Sequence, residues 1–572
     1  MKKATPLFFT FSAASILLFN SCGSADTNKE VIATDSASIA SGETAFTQNC
    51  SSCHNFIQDG IGPQLSGLTE KVSAEWISNF IHDPKKTIDA GDERAKMLFD
   101  KYHTVMPSFA TLGDEKLNDI IAFMNTVKVP PGKPDYDSIY LKDPITEKIK
   151  MSDMVLALEE VVQMPFSGDG KDGEPRTRLA KLDVKPGTDN LFVMDLRGKL
   201  YMLNNGKPEV YLDMKELKKD FIDKPGLATG FGSFAFHPDF QKNGLLYTSN
   251  TEPKGTAKAD FGYADSIPVE LQWVVTEWKT DPAAFPFKGE GRELFRINMV
   301  TGIHGMQELT FNPLAKPGSK DYGLLYIGIG DGGCVENGFP PLAHDPSKPW
   351  GSIFRIDPKG NNSANKKYGI PPGNPFVKDS AKLKEIYAYG FRNPHRTTWS
   401  RDGKMLTSNI GQMNIESLYL ILPGHDYGWP LREGTFMIHP DGNINKAHPL
   451  PEDDKTFKIT YPVAEYDHDE GKAITGGYEY TASSAKELKG KYIFGDMNKG
   501  RLFFVNVKDL KTGSQTPIKE FKVSLNGKLT TMSQLCGSER VDMRLGKDRK
   551  GEVYVFTKPG GKIYRIAGVS KQ

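Results

Sequence analysis

The chain has 572 residues, too many for one ordinary hydrophobic core, so two or more domains are expected. It is 38% hydrophobic and 25% charged, with 72 basic against 71 acidic residues. That near-neutral balance argues against nucleic acid or an acidic polymer as partner, while 56 glycines and 37 prolines favour a β-rich body.

Lys2 and Lys3 precede an apolar run from Leu7 to Phe19, and Asn20-Ser21-Cys22-Gly23 follows. A basic start, a short apolar stretch and small residues before a cysteine mark a secretory signal, and the run is short for a bilayer span. The pattern resembles a bacterial lipoprotein signal. That resemblance implies cleavage after residue 21, lipid on Cys22, and an exported cell-envelope protein, periplasmic or surface-facing, that meets the membrane through its lipid alone. Residues 22–41 are small, polar and unpatterned, as in a linker.

From Gly42 the pattern is helical and leads into Cys50-Ser51-Ser52-Cys53-His54. Two thiols one helical turn apart, followed directly by an imidazole, suit covalent attachment to the two vinyl groups of a haem, with His54 on the iron. A zinc half-site or a redox dithiol explains less: there is no second C-x-x-C, and the histidine would have no task. Met106, held in Val105-Met106-Pro107, is the candidate for the opposite axial position, ahead of His82, Met97 and His103. A His/Met pair raises the reduction potential, as suits an electron acceptor. Apolar residues at helical spacing recur in 74–82 and 114–127. Residues 42–128 resemble a class I cytochrome c domain, small and all-α.

Val129-Pro130-Pro131-Gly132-Lys133-Pro134 is a stiff break, and 129–155 reads as a linker. Beyond it, short β-type runs recur as aromatic strand, glycine turn, basic residue and second aromatic strand. Residues 191–201, 492–503 and 553–564 are three copies, and 325–331 with 351–356 form a fourth opened by an insert. Repeated hairpins without helical alternation predict an all-β propeller over 156–568 in preference to a large sandwich.

Five segments in this region resemble the glucose/sorbosone dehydrogenase family. They are Phe234-Ala235-Phe236-His237-Pro238-Asp239-Phe240, Gly330-Asp331-Gly332-Gly333, Ala388-Tyr389-Gly390-Phe391-Arg392-Asn393-Pro394, Tyr427-Gly428-Trp429-Pro430 and Lys472-Ala473-Ile474-Thr475-Gly476-Gly477. The resemblance implies a six-bladed propeller that binds pyrroloquinoline quinone (PQQ) and calcium at one end of its axis and oxidises aldoses or related alcohols. It makes His304 the base and Asp331 its orienting partner, and sets Arg392 and Asn393 at the quinone oxygens. Lys472, Arg540 and Arg544 fall to the cofactor carboxylates, and Gly411, Gln412 and Glu416 to calcium. The chain departs from the family pattern at Ala228, Ile303 and Met306. Cys334 and Cys536 fall in loops at the implied pocket mouth, where a disulfide is expected.

The expected whole is a multidomain quinoprotein dehydrogenase: a small all-α cytochrome c domain followed by an all-β propeller. Electrons from a sugar or alcohol pass to its own haem and then to an external acceptor such as another cytochrome. The competing expectation is a non-catalytic propeller that binds glycans or proteins, fused to an electron-transfer cytochrome.

Overall fold

The computed structural model describes residues 32–571, apart from 52, 58, 103, 129–139, 172, 173, 225 and 227. The signal segment with Cys22 and the proline break at 129–134 lie outside the described residues. No helix among the described residues is long and apolar enough to cross a membrane.

The N-terminal domain rests on helices Ser36–Asn49, Ala74–His82, Glu93–Tyr102 and Asp114–Thr126. The first begins earlier than position 42, inside the stretch read as a linker, because Asp35 caps the N–H groups of Ala37 and Ser38. It crosses the last helix at Gly42, where a Cβ would lie 1.8 Å from the Asp119 carbonyl oxygen. Only glycine allows that approach. Phe46, Leu65, Ile77, Leu117, Ile120 and Met124 make the core between them.

The rest of the chain is a β-propeller-like domain. Four four-stranded antiparallel sheets follow one another: residues 179–213, 231–299, 308–389 and 394–467. A nine-stranded sheet comes last. Within it, Lys150–Gln163 runs parallel to Lys519–Leu525 and antiparallel to Lys562–Lys571, tying the start of the domain to its end. That strand begins at 150, inside the expected linker. The copies read from the sequence all emerge as neighbouring strand pairs, including Leu325–Ile329 with Ser352–Ile356.

The first strands of three of the sheets meet in a buried ion network. Lys181 Nζ lies 2.6 Å from Glu308 Oε1, and Arg396 Nη1 lies 2.8 Å from Glu308 Oε2. Lys181 also donates to the Leu309 carbonyl at 2.6 Å, and Arg396 to the Ala180 carbonyl at 3.1 Å. Removing the shared carboxylate strands two buried cations. Glu308→Ala is therefore expected to destabilise the propeller by about 3–5 kcal/mol, read as a lowered Tm.

Candidate active site

His304 sits in the loop that leads into Glu308–Phe311, with φ of 50°, a left-handed conformation that a non-glycine residue rarely adopts. The next residue must be glycine: a Cβ on Gly305 would lie 2.1 Å from the Trp273 ring. The turn is thus seated on a buried tryptophan. His304 Nδ1 lies 2.7 Å from Asp331 Oδ1, and Trp429 Nε1 donates to Asp331 Oδ2 at 2.9 Å. Burial alone would raise the Asp331 carboxyl, but the charge and hydrogen bond of His304, with Arg392 nearby, hold it below the usual carboxylate range. An ionised Asp331 keeps the proton on Nδ1 and leaves Nε2 to accept one.

Arg392 is tied to this centre through its backbone, whose carbonyl accepts from Asp331 N at 2.8 Å. Its guanidinium donates to Gln412 Oε1 (2.8 Å), the Gly411 carbonyl (2.6 Å) and Glu336 Oε1. Glu336 is a buried partner that no sequence pattern singled out. Asn393 is buried beside Arg392, its N–H donating to Asn409 Oδ1.

Gly411, Gln412 and Glu416 come together, but their oxygens do not converge on one point. The Gly411 carbonyl faces Arg392, whereas its N–H faces Glu416 Oε1 at 3.2 Å. Glu416 also accepts from Ile474 N (2.8 Å) and faces His468 Nε2 (3.0 Å). Burial pushes the Glu416 carboxyl up to about 8. With the Gly411 carbonyl taken by Arg392 and Glu416 accepting from the N–H groups of Gly411 and Ile474, the set as arranged does not fit a calcium ion.

In the N-terminal domain, Cys50, Cys53, His54 and Met106 line one cavity of about 1150 Å³. His54 Nδ1 lies 2.8 Å from the Pro63 carbonyl oxygen, which fixes the proton on Nδ1 and leaves Nε2 as a ligand. Met106 packs against the core, while Met97 is 57% exposed and His82 is exposed; His103 lies outside the described residues. A haem with two thioether bonds and His/Met ligation fits this set.

The same cavity is walled on its far side by Arg178 and Arg540 of the propeller. The domains touch beside it. Arg392 donates to Gln412, Gln412 Nε2 to Asn445 Oδ1 (3.0 Å), and Asn445 Nδ2 to the Asp59 carbonyl (2.8 Å). Three hydrogen bonds thus run from the base of the pocket to the loop after the C-x-x-C-H motif.

Ser51, within that motif, donates to Glu270 Oε2 at 3.1 Å. Burial pushes the Glu270 carboxyl up to about 7, against the bonds from Ser51 and the Gly302 N–H. A carboxyl raised in the folded state contributes stability that is complete below about 4.5 and is lost as pH rises through about 7. The Tm of the wild type is expected to fall across that window, and Glu270→Gln should lose that component, as thermal melts at stepped pH would show.

Comparison with known proteins places both halves. The glucose/sorbosone dehydrogenase family model matches residues 180–565, and that for cytochrome c matches residues 39–128. The chain belongs to the glucose/sorbosone dehydrogenase family. Its relatives include the HIPL1 protein of Arabidopsis thaliana, 26% identical over 398 residues covering 62% of this chain and 55% of that protein. The human Hedgehog-interacting protein is 24% identical over 401 residues, covering 68% and 51%. The aldose sugar dehydrogenase YliI of Escherichia coli is 24% identical over 386 residues, covering 66% and 88%. The chain thus spans about half the length of the first curated relatives it matches. Among solved structures, the apo-form of the soluble aldose sugar dehydrogenase from Escherichia coli aligns at 18% identity with a TM-score of 0.49, covering 73% of this chain and 99% of that one.

Whether a family member with this pocket suits PQQ, an anionic quinone, can be judged from its unpaired donors. Arg544 Nε, Arg178 Nε and both ring nitrogens of His395 are buried with no partner among the described residues. Burial pushes Lys558 down to about 7, with Asp542 opposing and Arg544, Arg178 and Arg540 adding to it. Burial likewise lowers Arg544 to about 10. Buried, mutually repelling cations with idle donors call for carboxylates, and PQQ fits. Arg540 faces Asp542 at 3.4 Å on the haem side of this cluster, and Arg544 lies deeper, on strand Met543–Lys547. Burial and then Lys499 lower Lys472.

The family departures are accommodated. Met306 points into the core and Ile303 is buried, so neither blocks His304; Gln307 Nε2 donates to the Ala228 carbonyl at 3.0 Å. The expected disulfide is absent: Cys334 is a buried free thiol, and the free Cys536 Sγ faces the carbonyls of Ser533 and Ser538.

Proposed function

We propose that the protein is an exported, lipid-anchored quinoprotein dehydrogenase that oxidises an aldose or related alcohol and delivers the electrons to its own covalent haem. Cys22 would carry the lipid, and an external acceptor such as another cytochrome would take the electrons onward. The nine-stranded sheet is read as two further blades joined by Lys150–Gln163, giving the six-bladed propeller. One observation carries the reading: the cavity lined by Cys50, Cys53, His54 and Met106 is shared with Arg178 and Arg540 of the propeller's cation cluster.

PQQ, when bound, supplies the two-electron acceptor; Arg392, Asn393, Lys472, Arg540, Arg544 and Lys558 are the residues that would hold it. His304 Nε2 takes the substrate hydroxyl proton, and Asp331 stabilises the imidazolium that results. Trp429 and Gly333, both donating to Asp331 Oδ atoms at 2.9 Å, keep that carboxylate fixed while the charge develops. The N-terminal domain meets the propeller through Asp59 on Asn445 and Ser51 on Glu270. No step is assigned to calcium at Gly411, Gln412 and Glu416.

The test is a visible-band titration of haem-loaded protein with PQQ, followed by a panel of aldoses. Haem reduction that needs both PQQ and a sugar supports the dehydrogenase. No PQQ binding and no reduction supports the second reading, a binding propeller, which the similarity to a Hedgehog-interacting protein favours.

A further inference from the structure

Three carboxylates outside the pocket meet where the connector joins the propeller. Asp143 belongs to the connector, and Asp467 and Asp469 lie at and just after the end of strand Ala464–Asp467. One ligand oxygen of each lies within 4.8 Å of the others. Asp467 is only 2% exposed, and its Oδ1 has no hydrogen-bond partner among the described residues, while Oδ2 accepts from Ile145 N at 3.2 Å.

Lys148 neutralises the cluster in part. Its Nζ lies 3.4 Å from Asp143 Oδ1 and 3.3 Å from Asp469 Oδ2. Lys499 is spent on the carbonyls of Asp469 and Glu470. Three carboxylates against the Lys148 and Lys499 ammonium groups still leave the cluster net negative. All the donors are oxygens, the choice of a hard cation, and carboxylates set irregularly on a loop suit the flexible coordination of calcium better than the strict octahedron of magnesium.

We propose that Asp143, Asp467 and Asp469 bind one calcium ion that clamps the connector to the propeller. The surrounding strapping fits that role. Leu141 N donates to the Ala447 carbonyl (2.8 Å), and Ile149 N to Glu470 Oε1 (3.1 Å). The N–H groups of Glu470 and Gly471 both return to the Asp467 carbonyl, so the turn that ends at Lys472 hangs from Asp467. The ion would fix both the anchor point of the haem domain and the turn bearing a pocket lysine. This site stands apart from the quinone reading.

The experiment is calorimetric titration of chelator-treated, full-length protein with calcium chloride. Asp143 and Asp469 are 43% and 66% exposed at their side chains, so Asp143→Asn and Asp469→Asn are expected to fold normally. One equivalent should bind to the wild type, and each substitution should weaken that event by more than about tenfold. Lys148→Met, which removes the competing ammonium, should tighten it. Calcium affinity unchanged by both aspartate substitutions overturns the proposal. So does an absence of calcium binding in wild type and Lys148→Met alike; Lys148 is then the cluster's permanent counter-ion.

Discussion

His304→Ala is expected to slow sugar-dependent haem reduction by about 10²–10⁴-fold, with the haem spectrum and Tm unchanged. The magnitude is that of a positioned general base. The geometry assigns it to His304, whose Nδ1 is held at 2.7 Å by a carboxylate that Trp429 and Gly333 lock in turn. The strained φ of 50° at a residue flanked by an obligatory glycine points the same way, since such a backbone persists where its surroundings over-determine it. Asp331→Asn tests the positioning separately. An asparagine amide can donate to Nδ1, which moves the imidazole proton to Nε2 and leaves no base at the pocket. The loss should approach that of His304→Ala and shift the pH–rate profile, while PQQ binding, followed by its absorbance, stays intact. Wild-type rates in His304→Ala would remove the base assignment and leave the histidine a structural role at the turn.

Much of this centre was legible because its pieces lie in contiguous motifs. The hairpins repeat the same strand–turn–strand chemistry, so their pairing followed from pattern alone, and C-x-x-C-H announces its cofactor by spacing. The residues that escaped are those brought in by tertiary approach. Glu336 and Asn445 stand in irregular loops whose composition gives no hint that one meets Arg392 and the other the haem loop. Lys558 reads as an ordinary turn lysine, and only burial beside three arginines gives it a part. The calcium segment failed for a finer reason. A sequence shows that a carbonyl and a carboxylate are near each other along the chain, but not what each of them faces. Here the Gly411 carbonyl meets Arg392, and Glu416 meets backbone N–H groups. The acidic cluster at 143, 467 and 469 was illegible because Asp143 is separated from its partners by most of the propeller.

Replacing Cys50 and Cys53 together with alanine is expected to leave the N-terminal domain without haem and unfolded, on a propeller that stays folded. The core side chains Phe46, Leu65, Ile77, Ile81, Ile120 and Met124 line the cavity that the domain shares with the propeller. With nothing between them these apolar groups meet water, and a domain this small has no second core to offset the loss. The helices therefore need the group that fills the space. Far-UV dichroism should lose helical signal, a denaturing gel should show no haem stain, and the propeller's thermal transition should persist. Met106→Ala separates ligation from attachment: haem should remain on the gel while its reduction potential falls, because the thioether that raises it is gone. Full helical signal in a haem-free double variant would mean that the domain closes its own core, and the haem would then be a passenger of the fold and not its centre.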